Sequence, residues 1–166
     1  MEKLNLQDLS LPEIVQALQK QNLQKYDFVV PSRLIQMFDT NLKVINSEKL
    51  DSLSKLLVDT GLDLSDGYSE GQTLKLDVLD VCHSQISSRL EIPKKYYDRM
   101  LNDTFNHYIL DKNVNHWLKR NGDKNYLLRT FVDSEKQQGL ARAILSDRYN
   151  VIDNYDVMLA TLDAIK

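Results

Sequence analysis

The sequence has few features that would build a covalent or membrane-bound framework. Its single cysteine, Cys82, excludes an internal disulfide, and a reducing compartment suits such a chain. No apolar run approaches the roughly 18 residues that a membrane-spanning helix needs. Residues 1–15 lack the apolar core of a signal peptide, so we predict a cytoplasmic protein without membrane contact.

The sequence also lacks the patterns that carry most enzyme chemistry. Its three histidines, His83, His107 and His116, show no HExxH or HxH spacing, and there is no CxxC pair, GxxxxGK[ST] loop or GxSxG elbow. Cys82 and His83 are adjacent on a predicted helix, so their side chains point about 100° apart and do not form a nucleophile–base pair. We therefore predict no catalytic residue, metal site or cofactor, and we favour a protein that is not an enzyme.

Hydrophobic spacing predicts short strands and amphipathic helices in one α+β domain over residues 1–166. Apolar residues alternate over 73–78, as in a half-buried strand, and recur at i, i+4, i+7 and i+8 from Leu110, as in an amphipathic helix. We expect the helices to pack on a small, mainly antiparallel sheet that includes a C-terminal hairpin. The other predicted segments are strands at 26–30 and 42–46, one or two helical turns over 32–39, helices over 79–91 and 105–121, and helices that begin at Ser10, Ser47, Pro93 and Asp153.

The predicted hairpin, with strands at 126–133 and 138–146, carries one arginine in the middle of each strand, Arg129 and Arg142. If the turn is centred at 135–136, the two arginines face each other. Because strand side chains alternate, both then lie on the same face of the ribbon. Like charges directly opposite each other destabilise a sheet, so an anion is expected between or beside the two arginines.

That anion has two possible sources. One is a bound phosphate, which the fork of a guanidinium fits well. The other is an internal carboxylate such as Asp147 or Asp153, and an internal ion pair is the commoner outcome. The first source makes the hairpin a binding site, whereas the second makes the arginines structural.

A basic segment lies inside an otherwise acidic chain. The net charge of −3 divides into −5 over 1–93, +4 over 94–148 and −2 over 149–166. Such a segment can mark an anion-binding face, and a normal mixed surface is the alternative. The candidate phosphate- or nucleic-acid-binding residues are Lys119, Arg120, Arg129, Arg142, Arg148 and Tyr149, the tyrosine as a stacking face for bases.

Four stretches in the C-terminal half, "RLEIPKKYYDRML", "VNHWLKRN", "LLRTF" and "LARAILSDRYNVIDNYDVM", carry a resemblance. Over about residues 79–160, they resemble the phage/plasmid-like family called domain of unknown function 932. The resemblance implies a bacteriophage, plasmid or related mobile element in the cytoplasm of a bacterial host, and no established activity. Family members continue well past this segment. The chain is therefore interpreted either as the N-terminal part of a longer protein or as a natural short form, and the first case predicts exposed apolar surface near 160–165.

Two function hypotheses follow from these observations. In the first, a mobile-element protein has a nucleic-acid-related accessory role, and segment 117–149 contacts the phosphate backbone of single- or double-stranded nucleic acid. In the second, the protein is an interaction or assembly module that uses its acidic N-terminal half or self-associates through its last helix. The first hypothesis predicts an affinity that falls steeply with salt, whereas the second predicts no nucleic-acid affinity at low salt.

Overall fold

The structure is a computed structural model that describes residues 10–46, 50–61, 73–133, 138–150 and 154–164. Some predictions fall outside the described residues. They are the helix starts at Ser47 and at Asp153, the hairpin turn at 135–136 and the apolar surface at Ile165. The chain forms two compact units, Tyr26–Tyr149 and a smaller one of Met1–Lys25 with Asn150–Lys166, and each is described by itself. The prediction of one domain over 1–166 stays a prediction.

Six helices and six strands make up the described residues. The helices are α1 (Leu11–Leu23), α2 (Asp51–Thr60), α3 (Asp80–Arg89), α4 (Lys94–Leu101), α5 (His107–Arg120) and α6 (Asn154–Ala164). The strands are β1 (Lys25–Pro31), β2 (Ile35–Phe38), β3 (Asn41–Ile45), β4 (Thr73–Val78), β5 (Asn125–Asp133) and β6 (Gln138–Ser146). Short 3-10 turns cover Ser32–Leu34 and Thr104–Asn106.

The smaller unit contains α1 and α6. The predicted helix start at Ser10 has the contacts of a capping box, in which the backbone N–H of Ser10 donates to Glu13 Oε2 at 2.7 Å. The amide of Gln19 donates to the hydroxyl of Tyr155 at 3.4 Å and joins the two helices. On α6, Val157 and Leu159 are exposed. Of the apolar surface expected near 160–165, Ala160 and Ala164 are exposed and Leu162 is half-buried.

The larger unit is built on one sheet with the strand order β1-β5-β6-β4-β3-β2. The pairs β2–β3, β3–β4 and β5–β6 are antiparallel, and β4–β6 is parallel. Parallel neighbours require a long connection, which α3, α4, α5 and β5 provide between β4 and β6. The α+β class and the mainly antiparallel sheet with its C-terminal hairpin are therefore confirmed.

The apolar positions predicted from hydrophobic spacing are the ones that form the core. In β4, Leu74 and Leu76 are buried while Lys75 and Asp77 are exposed. The predicted stripe of α5 is buried at Leu110, Val114 and Leu118. The helical turns predicted over 32–39 are wrong beyond residue 34. From there burial alternates through β2 with the period of a strand, which favours sheet pairing with β3.

Side chains of α5 hold the outer edge of β2 and the turn that follows it. Asn115 accepts from the N–H of Met37 at 2.6 Å and donates to its carbonyl at 2.8 Å. The carboxylate of Asp111 accepts the N–H groups of Asp39 and Thr40 at 2.7 and 3.1 Å. Both turn residues are left-handed, with φ of 48° and 63°, as a tight two-residue hairpin requires. The contacts with Asp111 stabilise this conformation.

The parallel contact between β4 and β6 depends on a glycine. Gly139 pairs with Leu76, and a Cβ at this position would lie 2.6 Å from Leu76 Cδ2 and 3.0 Å from the carbonyl oxygen of Lys75. Only a residue without a side chain lets the two strands approach so closely. Helix α3 then packs on β6, and Gln85 Oε1 accepts the N–H of Ile144 at 2.9 Å. Helix α3 therefore covers the hairpin, in agreement with the expectation that the helices pack on the sheet.

The register of β5 and β6 departs from the prediction at one point. Phe131 pairs with Leu140, as the predicted turn centre requires, but the register shifts between Arg129 and Thr130. Arg129 then faces Ala143, so Arg142 is the extra residue of a β-bulge. The prediction that Arg129 and Arg142 lie directly opposite each other is therefore wrong.

Candidate functional site

Arg129 forms a buried ion pair in the middle of the sheet. Its Nε lies 2.9 Å from Asp27 Oδ2 of β1, and the two side chains are 9% and 13% exposed. The acceptor is thus an internal carboxylate, but it is Asp27 and not the predicted Asp147. The other predicted acceptor, Asp153, lies outside the described residues. Because solvent hardly reaches Arg129, we assign it to the stability of the sheet.

Arg142 has a different partner on the same ribbon. Its guanidinium lies over the ring of Phe131, 4.7 Å from the ring centroid. Phe131 and Arg129 are two residues apart on β5 and therefore share a face. The two arginines lie on one face, as predicted, although they are not opposite each other. The ring of Phe131 covers part of the half-buried Arg142.

The basic pair Lys119 and Arg120 ends α5. Arg120 lies over the ring of Trp117 at 5.5 Å, and Trp117 packs against the core. The carbonyl of Lys119 accepts the N–H of Gly122 at 3.2 Å, which turns the chain out of the helix and toward β5. Both cations are exposed next to the segment that enters the hairpin.

A cleft of about 390 Å³ lies where β5 begins and β6 ends. Three parts of the chain supply its walls: the last residue of α3, the segment that enters β5 and the turn that leaves β6. The lining residues are Arg89, Asp123, Lys124, Asn125, Tyr126, Ser146, Asp147 and Arg148. Of the predicted site residues, the cleft includes Arg148; Lys119, Arg120, Arg129, Arg142 and Tyr149, all within the described part of the chain, do not line it.

Local hydrogen bonds build the wall that leaves β6. Ser146 pairs with Tyr126 as the last residue of β6, and its carbonyl accepts the N–H of Tyr149 at 3.0 Å. Its Oγ accepts the N–H of Arg148 at 3.3 Å. Serine and aspartate favour such turns because their side chains bond nearby backbone groups. The turn presents Arg148 and Tyr149 to solvent.

The opposite wall is held by bonds to the core. The N–H of Lys124 donates to the carbonyl of Asn121, and the carbonyl of Lys124 accepts the N–H of Ser32, both at 2.8 Å. The hydroxyl of Ser32 also donates to the carbonyl of Leu118 at 2.8 Å. The backbone of Lys124 is fixed while its side chain is exposed, so its ammonium can move toward a ligand.

The cleft has a modest positive charge and many hydrogen-bond donors. Arg89, Lys124 and Arg148 contribute three exposed cations, against the two carboxylates of Asp123 and Asp147. Burial raises the pKa of Tyr126, and the charge of Arg89 partly offsets that rise. The phenol therefore stays protonated at neutral pH. Guanidinium, ammonium and phenol groups together suit an oxyanion such as a phosphate.

The sequence reasoning missed Arg89 and Lys124. Arg89 ends α3, far along the chain from the hairpin, so only the packing of α3 on β6 brings it to the cleft. Lys124 did have a signal, because it lies two residues after the Asn121–Gly122 pair and two residues before the predicted strand at 126–133. A cation at the start of one hairpin strand lies beside the end of the other strand, where Arg148 was predicted.

The buried Cys82 and His83 belong to the core. Nδ1 of His83 lies 2.8 Å from the hydroxyl of Tyr97, as expected for a hydrogen-bonded core histidine. Burial lowers the pKa of His83 to about 4 and raises the pKa of the Cys82 thiol to about 12. The thiol is thus neither ionised nor paired with an available base, and the two residues carry no nucleophilic chemistry.

Two searches confined to the described part of the chain were negative. No group of three or more histidine, cysteine, aspartate or glutamate side chains there is arranged to hold a metal ion. No helix there has the length and apolar character needed to cross a membrane.

No protein-family model matches the sequence, and comparisons with curated proteins and with solved structures gave no match. The resemblance to the domain of unknown function 932 family stays a prediction.

Proposed function

We propose that the protein binds nucleic acid through the phosphate backbone, with a phosphate in the cleft. The observation that carries the proposal is the convergence of Arg89, Lys124 and Arg148 from three separate parts of the chain. Each is exposed, so each can reach a ligand without losing a buried partner. A phosphate oxygen can accept from the two guanidiniums and the ammonium at once.

The shape and charge of the cleft favour a backbone contact over recognition of a base sequence. Phosphate contacts orient a nucleic acid and supply affinity without reading its sequence. The carboxylates of Asp123 and Asp147 limit the positive potential, so the affinity comes from a few contacts and falls with salt. The +4 charge of residues 94–148 supports the same reading. The biological setting, an accessory role for a phage or plasmid in the bacterial cytoplasm, rests on the family resemblance alone.

The proposal is tested by fluorescence anisotropy with labelled single- and double-stranded DNA and RNA at about 50 and about 200 mM salt. Lys124→Ala and Arg148→Ala each remove one phosphate contact, so each should weaken binding and reduce the salt slope by about 1. Lys55→Ala on α2 is the matched control, because it removes an exposed lysine outside the cleft. No affinity at the lower salt, or an equal loss with Lys55→Ala, would overturn the proposal.

The alternative is an interaction or assembly module, and one observation favours it. Val157 and Leu159 on α6 are 52% and 41% exposed, and such apolar side chains suit contact with a second chain. Light scattering after size exclusion separates the two functions. A stable oligomer that Leu159→Asp dissociates, together with no nucleic-acid binding, would establish the alternative.

A further inference from the structure

Three aromatic side chains in the larger unit are strongly exposed around the start of α5. Phe38 is 61% exposed, Phe105 is 88% exposed and Tyr108 is 58% exposed. They lie on different elements: the end of β2, the 3-10 turn before α5, and the first turn of α5. We call Phe38, Phe105, Tyr108 and their neighbours Lys43 and Lys112 the aromatic patch. The cleft contains none of these residues.

One contact joins the two segments of the chain that carry the three rings. Nδ1 of His107 lies 3.1 Å from Asp39 Oδ1. Phe38 directly precedes Asp39, Tyr108 directly follows His107, and Phe105 lies two residues before it. The rings therefore arise from backbone positions within two residues of this contact.

The backbone beneath the rings is held in place. The carboxylate of Asp103 accepts the N–H of Phe105 at 3.1 Å. The carboxylate of Asp111 accepts the two N–H groups of the turn that follows Phe38. A ring on a fixed backbone loses less conformational freedom when a ligand covers it, so exposed rings of this kind are preorganised for stacking.

Each of two rings comes with its own cation. The Lys43 ammonium lies over Phe38, 4.0 Å from the ring centroid, and the Lys112 ammonium lies 5.6 Å from that of Tyr108. The carboxylates of Asp39, Asp103 and Asp111 lie near the same segments, where they contact His107 and backbone N–H groups. The positive charge is therefore local to two of the three rings, Phe38 and Tyr108.

From these contacts we infer that the aromatic patch stacks the unpaired bases of single-stranded nucleic acid, with Lys43 and Lys112 beside the strand's phosphates. Aromatic faces interleaved with cations are the chemistry that binds single strands without sequence preference. Bases in a duplex are already stacked on each other and offer no face to such rings. The ligand class rests on the proposed function; the preference for single strands rests on the patch.

The exposed aliphatic side chains of the larger unit lie on other elements. Val58 is 83% exposed on α2 and Val81 is 62% exposed on α3, away from the patch in sequence and element. Aromatic rings are enriched both in single-strand binding sites and in protein interfaces. A second copy of this chain is therefore the alternative occupant that the test has to distinguish.

The test compares Phe105→Ala and Phe38→Ala with Val58→Ala, a matched loss of an exposed apolar side chain. The probes are a thymidine oligomer of about 16 nucleotides and a duplex of the same length. We expect each patch variant to bind the single strand roughly five- to a hundredfold more weakly, because one stacked base is lost. Duplex affinity, the salt slope and the thermal midpoint should stay unchanged, since no phosphate contact and no buried side chain is removed.

The outcomes also separate this inference from the proposed function. If Arg148→Ala weakens binding while Phe105→Ala and Phe38→Ala do not, the patch inference is wrong and the cleft proposal stands. Equal losses for single strand and duplex overturn the single-strand preference. If wild-type protein binds neither probe and the patch variants change its oligomeric state, the patch is an interface for a second copy of this chain and the inference fails.

Discussion

The β5–β6 hairpin carries an arginine in its middle and another at its open end, which is formed by residues 123–126 and 146–149. The first arginine is buried and the second is exposed. In the middle, Arg129 is buried and its guanidinium contacts Asp27. At the open end, Arg148 is exposed on the rim of the cleft. Arg129 lies on β5, and Arg148 lies in the turn that directly follows β6.

The difference follows from the solvation of charge. A guanidinium buried in a sheet loses its water and needs a carboxylate beside it, so its charge is committed to the fold. A guanidinium at the open end keeps its water until a ligand replaces it, so its charge remains available. Arg142 lies between these limits, half-buried under the ring of Phe131. Burial, more than residue type, therefore decides which arginine stabilises the fold and which one is available to bind a ligand.

The largest expected effect comes from breaking the buried pair. Arg129→Ala should lower the free energy of unfolding by about 3–5 kcal/mol, because the buried carboxylate of Asp27 loses the guanidinium that lies 2.9 Å from it. Urea denaturation monitored by circular dichroism measures the loss. A loss below about 1 kcal/mol would show that the middle of the hairpin is as tolerant as its open end.

The next effect concerns the buried histidine. Burial lowers the pKa of His83 to about 4 in the folded protein, whereas an unfolded chain has a pKa near 6.5. Between these values the unfolded state binds a proton that the folded state does not. Stability is therefore fully present above about pH 6.5 and falls as the pH drops, by about 3 kcal/mol in total at pH 4.

Denaturation curves measured between pH 7 and pH 4 test this dependence. His83→Gln removes the titrating group and should flatten the slope, whatever its effect on stability at pH 7. His116→Gln, which replaces an exposed histidine of α5, is the matched control for the loss of an imidazole. Equal slopes in the wild type and in His83→Gln would contradict the assignment of His83 to the dry interior.

A smaller effect is expected at the intermediate arginine. Arg142→Ala removes the contact of the guanidinium with the ring of Phe131, so we expect a loss of about 1 kcal/mol. A double-mutant cycle with Phe131→Leu isolates that contact from other changes. A loss in the free energy of unfolding as large as that of Arg129→Ala would show that Arg142 stabilises the fold as strongly as the buried ion pair does. The stability effect would then not decrease from the middle of the hairpin to its open end.

The smallest effect on stability belongs to the open end. Arg148→Ala should change the free energy of unfolding by no more than about 0.5 kcal/mol, since an exposed side chain outside the core is replaced. A thermal melt run beside the binding assay measures both quantities on one sample. If this variant unfolds as easily as Arg129→Ala, the cleft is part of the core and the comparison fails.

Local patterns were enough to predict the elements. Alternation predicted β4 over Thr73–Val78, and the spacing of Leu110, Val114 and Leu118 predicted α5. Ser146 and Asp147 favour a turn after β6, and Arg148 is exposed in that turn. Each of these features depends on residues that are close together in sequence.

The misses depend on residues that are far apart. Asp27 lies 102 positions from Arg129, and no local pattern connects them. A single-residue bulge at Arg142 shifts the pairing partner of every later residue of β6 by one. No local sequence pattern in that stretch predicts the bulge. Arg89 enters the cleft only because α3 packs on β6. The sequence therefore predicted the strand that carries each arginine but not its partner.

The hydrogen bonds of Asn115 have a consequence for association between chains. β2 is the last strand of the sheet order, and the N–H and carbonyl of Met37 are the groups that an added strand would use. The side-chain amide of Asn115 already occupies both of them, and Asp111 occupies the N–H groups of the turn. At these positions, side chains of α5 make the hydrogen bonds that the backbone of a neighbouring strand would otherwise make. The sheet is thereby protected at this edge against growth into a fibril by edge-to-edge pairing, although β2 remains a well-formed strand.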